Sequence, residues 1–314
     1  MLTVDRLDAI PPALQGAVLA VGNFDGVHRG HQSLIETAEA IAGEMGAIAG
    51  VLTFEPHPRA VFNPDTPPFR LTPDADKLRE LDALGVAGTV VLPFDADLAA
   101  MRAEDFVIDL LVRRLRMVHI VVGFDFCFGK SRSGDVALLR YMGEMEGFGV
   151  TVLDPVGDSD CVPGESFSSS AIRKALQTGD VALANAQLGR PWSVTGTVLR
   201  GDQRGRTIGF PTANIALGDY LRPALGVYAV RVVLDDGRVV PGVANIGRRP
   251  TFGKPDENLE VHLFDFAEDL YGRRIEVRLL AFIRPERKFD GLEALKAQIA
   301  ADSAEARRIT AASA

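Results

Sequence analysis

An apolar run that leads into a glycine-bearing turn and then into a helical pattern most constrains the fold of this chain. Residues 18–21 read as a buried strand, residues 22–31 read Gly-Asn-Phe-Asp-Gly-Val-His-Arg-Gly-His, and a helical pattern starts at residue 32. His31 then lies at a helix N-terminus, where free N–H groups and the helix dipole favour a phosphate chain. A tight turn needs glycine but not two histidines at this spacing, so the stretch predicts a phosphate site rather than a plain helix cap.

Strands and helices alternate along the first part of the chain, which predicts a Rossmann-like parallel sheet covered on both faces. Thr72 and Pro73 read as the cap and the first residue of one helix. In such sheets ligands bind at the carboxyl ends of the strands, where His28 and His31 fall. The predicted strands are 18–21, about 47–53, 88–92, 118–123 and 149–154, and the predicted helices are 32–43, 74–84, 103–115, 135–147 and 169–177, the last closing the first domain.

The pattern changes after Arg190-Pro191, where strands follow one another with turns between them. Asp235-Asp236-Gly237 is a hairpin signal. Together these features predict a small closed antiparallel barrel with a C-terminal helix. The division expected is therefore 1–186 and 187–314. The strands expected are 192–199, 226–234, 238–245, 258–265 and 274–283, and the helix is 291–309.

Composition excludes several classes of protein. The length of 314 residues suits two domains, and a net charge of −8 argues against a nucleic-acid partner. Two cysteines make no disulfide framework, and no signal or membrane-spanning run is present, so we expect a cytoplasmic protein without a membrane partner. The sequence leaves open whether copies of the chain form a homo-oligomer.

Two further segments follow strands of the predicted sheet. Phe54, Pro56 and Pro58 predict a stiff loop with a flat apolar wall suited to a ring system, although a simple crossover would also explain it. Residues 123–131 imitate a P-loop, but their glycines are too far apart and a phenylalanine stands where glycine is needed. Asp125 and the nearby phenylalanines, Phe128 among them, suit either an aromatic ligand or core packing.

The turn at 22–31 resembles the signature of the HxGH nucleotidyltransferases, which transfer a nucleotide from ATP or CTP to a phosphate-bearing acceptor. The resemblance implies that His28 and His31 stabilise the α-phosphate and the leaving pyrophosphate. Residues 168–173 resemble the second signature of that family, with Ser170 in place of the usual threonine. The implied phosphate-binding residues are Gly22, Asn23, Phe24, Gly30, Ser168, Ser169, Ser170 and Arg173.

A second glycine-rich segment occupies residues 201–215. Gly201, Gly205 and Gly209 permit close backbone approach to a ligand, and Arg206 adds positive charge. In an extended chain Thr212 and Asn214 would share one face, and their oxygens suit Mg²⁺ on a nucleotide. The glycine spacing alone is equally compatible with a plain loop.

The stretch Gly-Phe-Pro-Thr-Ala-Asn at 209–214 and the segment 259–266 resemble the riboflavin kinases. With both modules present, the chain resembles the bacterial family of bifunctional riboflavin kinases/FMN adenylyltransferases, also called FAD synthetases. The resemblance implies that the barrel phosphorylates riboflavin with ATP, with Glu260 as general base, and that the first domain adenylylates FMN to FAD. It also implies that Phe54, Pro56, Pro58, Asp125 and Phe128 line a flavin pocket.

Cys127 lies where many members of the family carry arginine, which leaves one phosphate or flavin contact in doubt. Two alternatives stay open. One is an HxGH nucleotidyltransferase acting on a different phosphate acceptor, such as a pantetheine or glycerol phosphate. The other is a non-catalytic flavin-binding or regulatory module.

Overall fold

The computed structural model describes residues 2–4, 10–157, 166–200, 209–249 and 256–312. It divides into two compact units: residues 1–67 with 72–168, and residues 68–71 with 169–314. No helix within the described ranges has the length and apolar character needed to cross a bilayer.

The first unit is built on the predicted parallel sheet, which has six strands in the order β1-β4-β3-β2-β5-β6, one more than the five read from the sequence. Its strands are β1 (Leu2–Val4), β2 (Val18–Val21), β3 (Ala49–Glu55), β4 (Gly88–Pro93), β5 (His119–Gly123) and β6 (Gly149–Leu153). Its helices are α1 (Arg29–Met45), α2 (Pro58–Phe62), α3 (Asp74–Ala83), α4 (Ala96–Ala100), α5 (Ala103–Asp105, continued by a π-helical segment Phe106–Arg114) and α6 (Val136–Glu146).

Both faces of this sheet are buried, because successive residues of β2 enter different cores. Leu19 and Val21 belong to one core, and Val18 and Ala20 belong to the other. The second core also takes the apolar stripe of α1, which includes Leu34, Ile35 and Ala38. Burial on both faces explains why the strands read as continuous apolar runs rather than as alternating ones.

Helix α3 begins at residue 74 as predicted, but the cap predicted for it is wrong. Thr72 does not cap the helix: its hydroxyl accepts a hydrogen bond from Gly26 N at 2.9 Å, and its own N–H donates to Asp25 Oδ1 at 3.1 Å. The helix begins at Asp74, with Pro73 as the flanking residue. Similarly, the stiff loop predicted after β3 contains the short helix α2.

The second unit contains the predicted antiparallel barrel, in the order β7-β12-β9-β10-β11-β8. Leu199, just past β7, donates its backbone N–H to Asn214 O at 2.8 Å, which brings the two outer strands of this sheet together and nearly closes it. Its strands are β7 (Ser193–Thr197), β8 (Ala213–Ala216), β9 (Gly226–Val233), β10 (Val239–Arg249), β11 (Asp256–Leu263) and β12 (Arg274–Pro285).

Two helices precede the barrel, α7 (Ser169–Thr178) and α8 (Val181–Leu188). The expectation that the first of them closes the first domain does not hold in the packing. The buried face of α7, with Ile172 and Leu176, lies in one core with Trp192 and the inward residues of the barrel. The helix therefore packs in the second unit, because its apolar stripe finds its partners there.

The last helix, α9 (Leu292–Ala312), covers part of the outer face of the barrel. Ala306 packs with Val227, Ala229, Val243 and Phe264, which all belong to one small outer core. Arg284 of β12 makes a bidentate ion pair with Asp302 of the helix.

Candidate functional site

The histidine turn leaves β2 at the carboxyl edge of the first sheet. Gly22 N donates to Leu52 O at 3.1 Å, so the turn starts as a continuation of the strand. Phe24 and Val27 then adopt positive φ angles of 51° and 43°. These are unfavourable for residues other than glycine, and here both side chains are buried in the core, which holds the backbone in place. Asn23 is exposed beside them.

His28 caps α1 through its ring. Its Nδ1 accepts the backbone N–H of His31 at 3.4 Å, and the two imidazole rings stack with centroids 3.7 Å apart. An Nδ1 that accepts a hydrogen bond carries no proton, so the proton of the neutral ring is on Nε2, where it can be donated. The cap and a hydrogen-bond donor for a ligand are thus compatible in one side chain.

Gly30 lets the His28 ring lie close to the backbone between the two histidines. A Cβ atom at this position would lie 3.2 Å from two atoms of the His28 ring and 3.5 Å from the carbonyl of Phe167. The ring of Phe167 lies 5.7 Å from the Arg29 guanidinium. A side chain at residue 30 would therefore crowd the His28 ring, which would have to shift by a few tenths of an ångström.

The residues predicted to line a flavin pocket fall at the same edge of the sheet. Phe54, Pro56 and Pro58 follow β3, and Asp125 and Phe128 follow β5, and these two strands flank β2. Phe54 and Phe128 lie in one core cluster and are 9% and 6% exposed. Asp125 and Pro56 are exposed, and Cys127 is half-buried.

The P-loop imitation after β5 folds differently from a P-loop. Phe128 and Gly134 exchange backbone hydrogen bonds at 3.0 and 2.9 Å, which closes a small antiparallel turn in place of a phosphate cradle. Phe128 stacks at 5.5 Å on Phe126. The exclusion of a P-loop made from the sequence is thus in agreement with the structure.

Lys77 is a site neighbour that the sequence does not reveal. Its side chain on α3 is completely buried, and its Nζ donates to Thr53 Oγ1, Phe54 O and Glu55 Oε1 at 3.2, 3.3 and 2.5 Å. In the sequence, Lys77 is one of several charged residues on a polar helix, and nothing distinguishes it from the others. Only the long-range contact with the end of β3 identifies it.

The second phosphate signature spans the division between the two compact units. Ser168 is the last residue of the first unit, and Ser169, Ser170 and Arg173 belong to the second. Arg173 donates from Nε to Phe69 O at 2.9 Å, and its guanidinium lies 5.4 Å from the Phe69 ring. The phosphate-binding role of these four residues stays a prediction.

Two of the residues predicted for the kinase reaction, Glu260 and Asn214, meet on the outer face of the barrel. Glu260 is paired in register with Asn214 of β8 on one side and with Asn245 of β10 on the other. Leu259 and Val261, its neighbours in β11, are fully buried in the barrel interior, so Glu260 points outward. Residues directly opposite in neighbouring strands share one face, which brings the carboxylate beside both amides.

Thr212 and Asn214 lie at the start of β8, and their predicted role as Mg²⁺ ligands stays a prediction. Asn214 donates from Nδ2 to Thr212 O at 3.4 Å, and its Oδ1 accepts from Asn258 Nδ2 at 2.9 Å, which fixes the orientation of the amide. A hydroxyl and an oriented amide oxygen fit the preference of Mg²⁺ for hard oxygen ligands. His262 Nδ1 lies 2.8 Å from Pro211 O and holds the segment leading to Thr212.

The glycine-rich segment before β8 is described only in part. Gly209 has a φ of 93°, a conformation that glycine adopts without strain. Gly201, Gly205 and Arg206 lie outside the described residues.

Comparison with known proteins finds two family models that match successive parts of the chain. The family model of FAD synthetase matches residues 10–171, and that of riboflavin kinase matches residues 188–310. A crystal structure described as a macrolide-efflux protein from Streptococcus pneumoniae superposes with a TM-score of 0.85 at 32% identity, covering 96% of this chain and 97% of that chain.

Relatives with the name bifunctional riboflavin kinase/FMN adenylyltransferase include proteins from three bacterial species. The Escherichia coli K12 protein is 45% identical over 93% of this chain and 92% of its own length. The Bacillus subtilis protein is 43% identical with the same coverage, and the Pseudomonas fluorescens protein is 42% identical over 100% of this chain and 99% of its own length. With both family models matched in this order, the chain belongs to the family of bifunctional riboflavin kinases/FMN adenylyltransferases.

Proposed function

We propose that Glu260 is the general base of the riboflavin kinase reaction and that His28 and His31 stabilise the transition state of the FMN adenylyltransferase reaction. The chain combines the two activities, which rules out a different phosphate acceptor as the favoured reading. The observation that carries the kinase assignment is the register pairing of Glu260 with Asn214.

In the kinase reaction, Glu260 accepts the proton of the ribityl 5′-hydroxyl while the oxygen of that hydroxyl attacks the γ-phosphorus of ATP. The new P–O bond gives FMN, and the bond to the ADP oxygen breaks. Thr212 and Asn214 would hold Mg²⁺, which when bound neutralises phosphate charge. Asn258 supports this by orienting the Asn214 amide.

In the adenylylation reaction, a phosphate oxygen of FMN attacks the α-phosphorus of ATP, and pyrophosphate leaves as the bond to the β-phosphate breaks. No side chain needs to form a covalent bond, so the site accelerates the reaction by aligning the substrates and stabilising charge. The Nε2–H of His28 is a donor for this purpose, and its ring is oriented by the cap on α1.

The remaining assignments are proposals of the same kind. We assign adenylylation to residues 1–186 and the kinase to 187–314, with ATP as co-substrate of both reactions and Mg²⁺ as cofactor. Phosphate binding by Gly22, Asn23, Phe24 and Gly30 accords with their place in the histidine turn. A cytoplasmic location stays a prediction from the sequence.

Glu260→Gln tests the kinase assignment. With riboflavin, ATP and Mg²⁺, we expect FMN formation to fall by about 10²- to 10⁴-fold, the usual worth of a general base. Conversion of supplied FMN to FAD should stay at the wild-type rate. Chromatography of the flavins measures both steps in one sample.

Glu276→Gln is the matched control, because Glu276 is an outward strand carboxylate of the same barrel that pairs with Arg278. It should leave both steps unchanged. Wild-type FMN formation by folded Glu260→Gln would remove Glu260 from the mechanism, and loss of both steps would contradict separate sites.

A further inference from the structure

Lys77 joins two segments of the first unit that the adenylylation reaction uses. Its Nζ contacts Thr53, Phe54 and Glu55 at the carboxyl end of β3, where the predicted flavin loop begins. Thr53 Oγ1 also lies 3.2 Å from the carbonyl of Asn23, to which it donates. A continuous chain of hydrogen bonds therefore runs from the ammonium group to the histidine turn.

The helix that carries Lys77 is attached to the same turn a second time. Thr72, just before α3, accepts from Gly26 N and donates to Asp25 Oδ1. The segment from Thr72 to Lys77 thus supports the turn from Asn23 to Gly26 at both of its ends, directly through Thr72 and through Thr53 from Lys77. Its backbone needs such support, because Phe24 and Val27 adopt positive φ angles within it.

We infer that Lys77 is a positioning residue of the adenylylation site. It acts through Thr53 on the turn that leads to His28, and through Glu55 and the Phe54 carbonyl on the loop predicted to receive the flavin. The inference rests on the assignment of adenylylation to the first unit. An ammonium group is suited to this place because its three protons can satisfy three acceptors that diverge, which a neutral apolar side chain cannot do.

A purely structural role at residue 77 would not need an ammonium group. An apolar residue would fill the same space on α3, as Leu81 does one turn later in the adjoining core. Burial of a charge is unfavourable unless its partners are fixed, and here the partners belong to the two loops at the edge of the sheet. Misplacement of a catalytic donor by about 1 Å costs about 10²-fold in rate, so a loss of this support should be visible in turnover.

The first experiment replaces the ammonium group by an apolar chain of similar length. In Lys77→Met we expect kcat for conversion of FMN to FAD to fall by about 10- to 100-fold, because the histidine donors lose alignment in the transition state. KM for ATP should change much less. FMN formation from riboflavin, measured in the same sample, should be unchanged.

Leu81→Ala is the matched control, since Leu81 is equally buried on the same helix but has no polar contact to either loop. Assays are run where far-UV circular dichroism shows both variants folded. An equal loss of kcat in Lys77→Met and Leu81→Ala would overturn the inference, because the loss would then follow stability alone. If the wild-type protein forms no FAD, the assignment of adenylylation itself fails.

Thr53 supplies a second test that does not disturb the charge. Thr53→Val removes the hydroxyl and should lower kcat for adenylylation, whereas Thr53→Ser keeps the hydroxyl and should resemble the wild type. The double variant with Lys77→Met should lose little more than Lys77→Met alone, because both changes break one chain of hydrogen bonds. Fully additive losses would show that Lys77 does not act through Thr53.

Discussion

His28 shows how one side chain serves the fold and the chemistry together. Its Nδ1 satisfies a backbone N–H in the first turn of α1, and this bond determines which nitrogen carries the proton. The ring is also stacked on His31 and limited by Gly30. The cap interpretation and the phosphate interpretation of this motif are therefore not exclusive.

Two substitutions of His28 separate these roles. Asparagine is a good helix cap and alanine is not, so His28→Ala should cost about 0.5–2 kcal/mol of stability and His28→Asn much less. Both should reduce conversion of FMN to FAD by about 10²- to 10³-fold, because both lack the Nε2 donor. Thermal unfolding and flavin chromatography measure the two effects.

FMN formation from riboflavin serves as the internal control for both variants and should be unaffected. Near-normal FAD formation by His28→Asn would mean that the cap, and not the ring donor, is what the reaction needs.

The histidine pair was predictable because its spacing lies within one short stretch of sequence. Lys77 and Thr72 were not predictable in their roles, since their partners lie 22 to 47 residues away in the chain. Thr72 in particular carries a strong local cap signal, and the structure uses its hydroxyl for Gly26 instead. A local propensity gives way where a buried N–H of a distant turn has to be satisfied.

At the scale of elements, a partly buried ion pair and an exposed one join the C-terminal helix to the barrel. The side chains of Arg284 and Asp302 are 18% and 5% exposed, and Gln298 adds a bond to Asp302 at 2.7 Å. Arg307 pairs with Asp265 on the surface and lowers the pKa of that carboxyl. The Arg284–Asp302 pair is expected to matter more, because water screens it less than it screens the exposed pair.

Asp302→Ala should lower the free energy of unfolding of the second unit by about 1–3 kcal/mol, because the partly buried Arg284 loses its charged hydrogen-bond partner. Trp192 is the single tryptophan of the chain and is buried in the barrel core, so urea unfolding followed by its fluorescence measures this unit.

The control is Asp265→Asn, which removes the exposed pair of the same helix and should leave the urea midpoint almost unchanged. Equal shifts of the urea midpoint in the two variants would show that burial of the Arg284–Asp302 pair does not increase its contribution to stability.

Most helices and strands could be located from the periodicity of the sequence. Helix α8 and strand β8 were not predicted, and the reasons differ. Helix α8 carries recognisable end signals: Asp180 accepts from Leu183 N at 3.0 Å, and Gly189 ends the helix with a φ of 73°. Strand β8 has only four residues and follows a glycine- and arginine-rich segment, so no period can be read in it. Its place is decided by pairing with β11, which is a long-range property.

At the scale of the whole molecule, each unit has cores of its own. The sheet of the first unit separates two of them, and the second unit has a barrel core and a small core under α9. Destabilising substitutions should therefore affect first the reaction of the unit that contains them.

Leu279→Ala tests this expectation in the barrel, where Leu279 is fully buried. The cavity should cost about 2–5 kcal/mol, so the kinase activity should be lost at a lower temperature than in the wild type. FAD formation from FMN after the same heating should be affected less. Residual activities, measured beside Trp192 emission, compare the two units.

Leu81→Ala is the reciprocal variant in the first unit and should reverse the order of the losses. Simultaneous loss of both activities in each variant would mean that the chain unfolds as a single cooperative body.

The packing of α7 in the second unit limits how such a protein can be assembled in evolution. A recombination event that exchanged kinase modules between two genes, and preserved their cores, would have to cut before Ser169. The incoming module would then bring its own serines and arginine at the start of α7. Most of the signature predicted to bind phosphate would thus be inherited with the barrel rather than with the first unit.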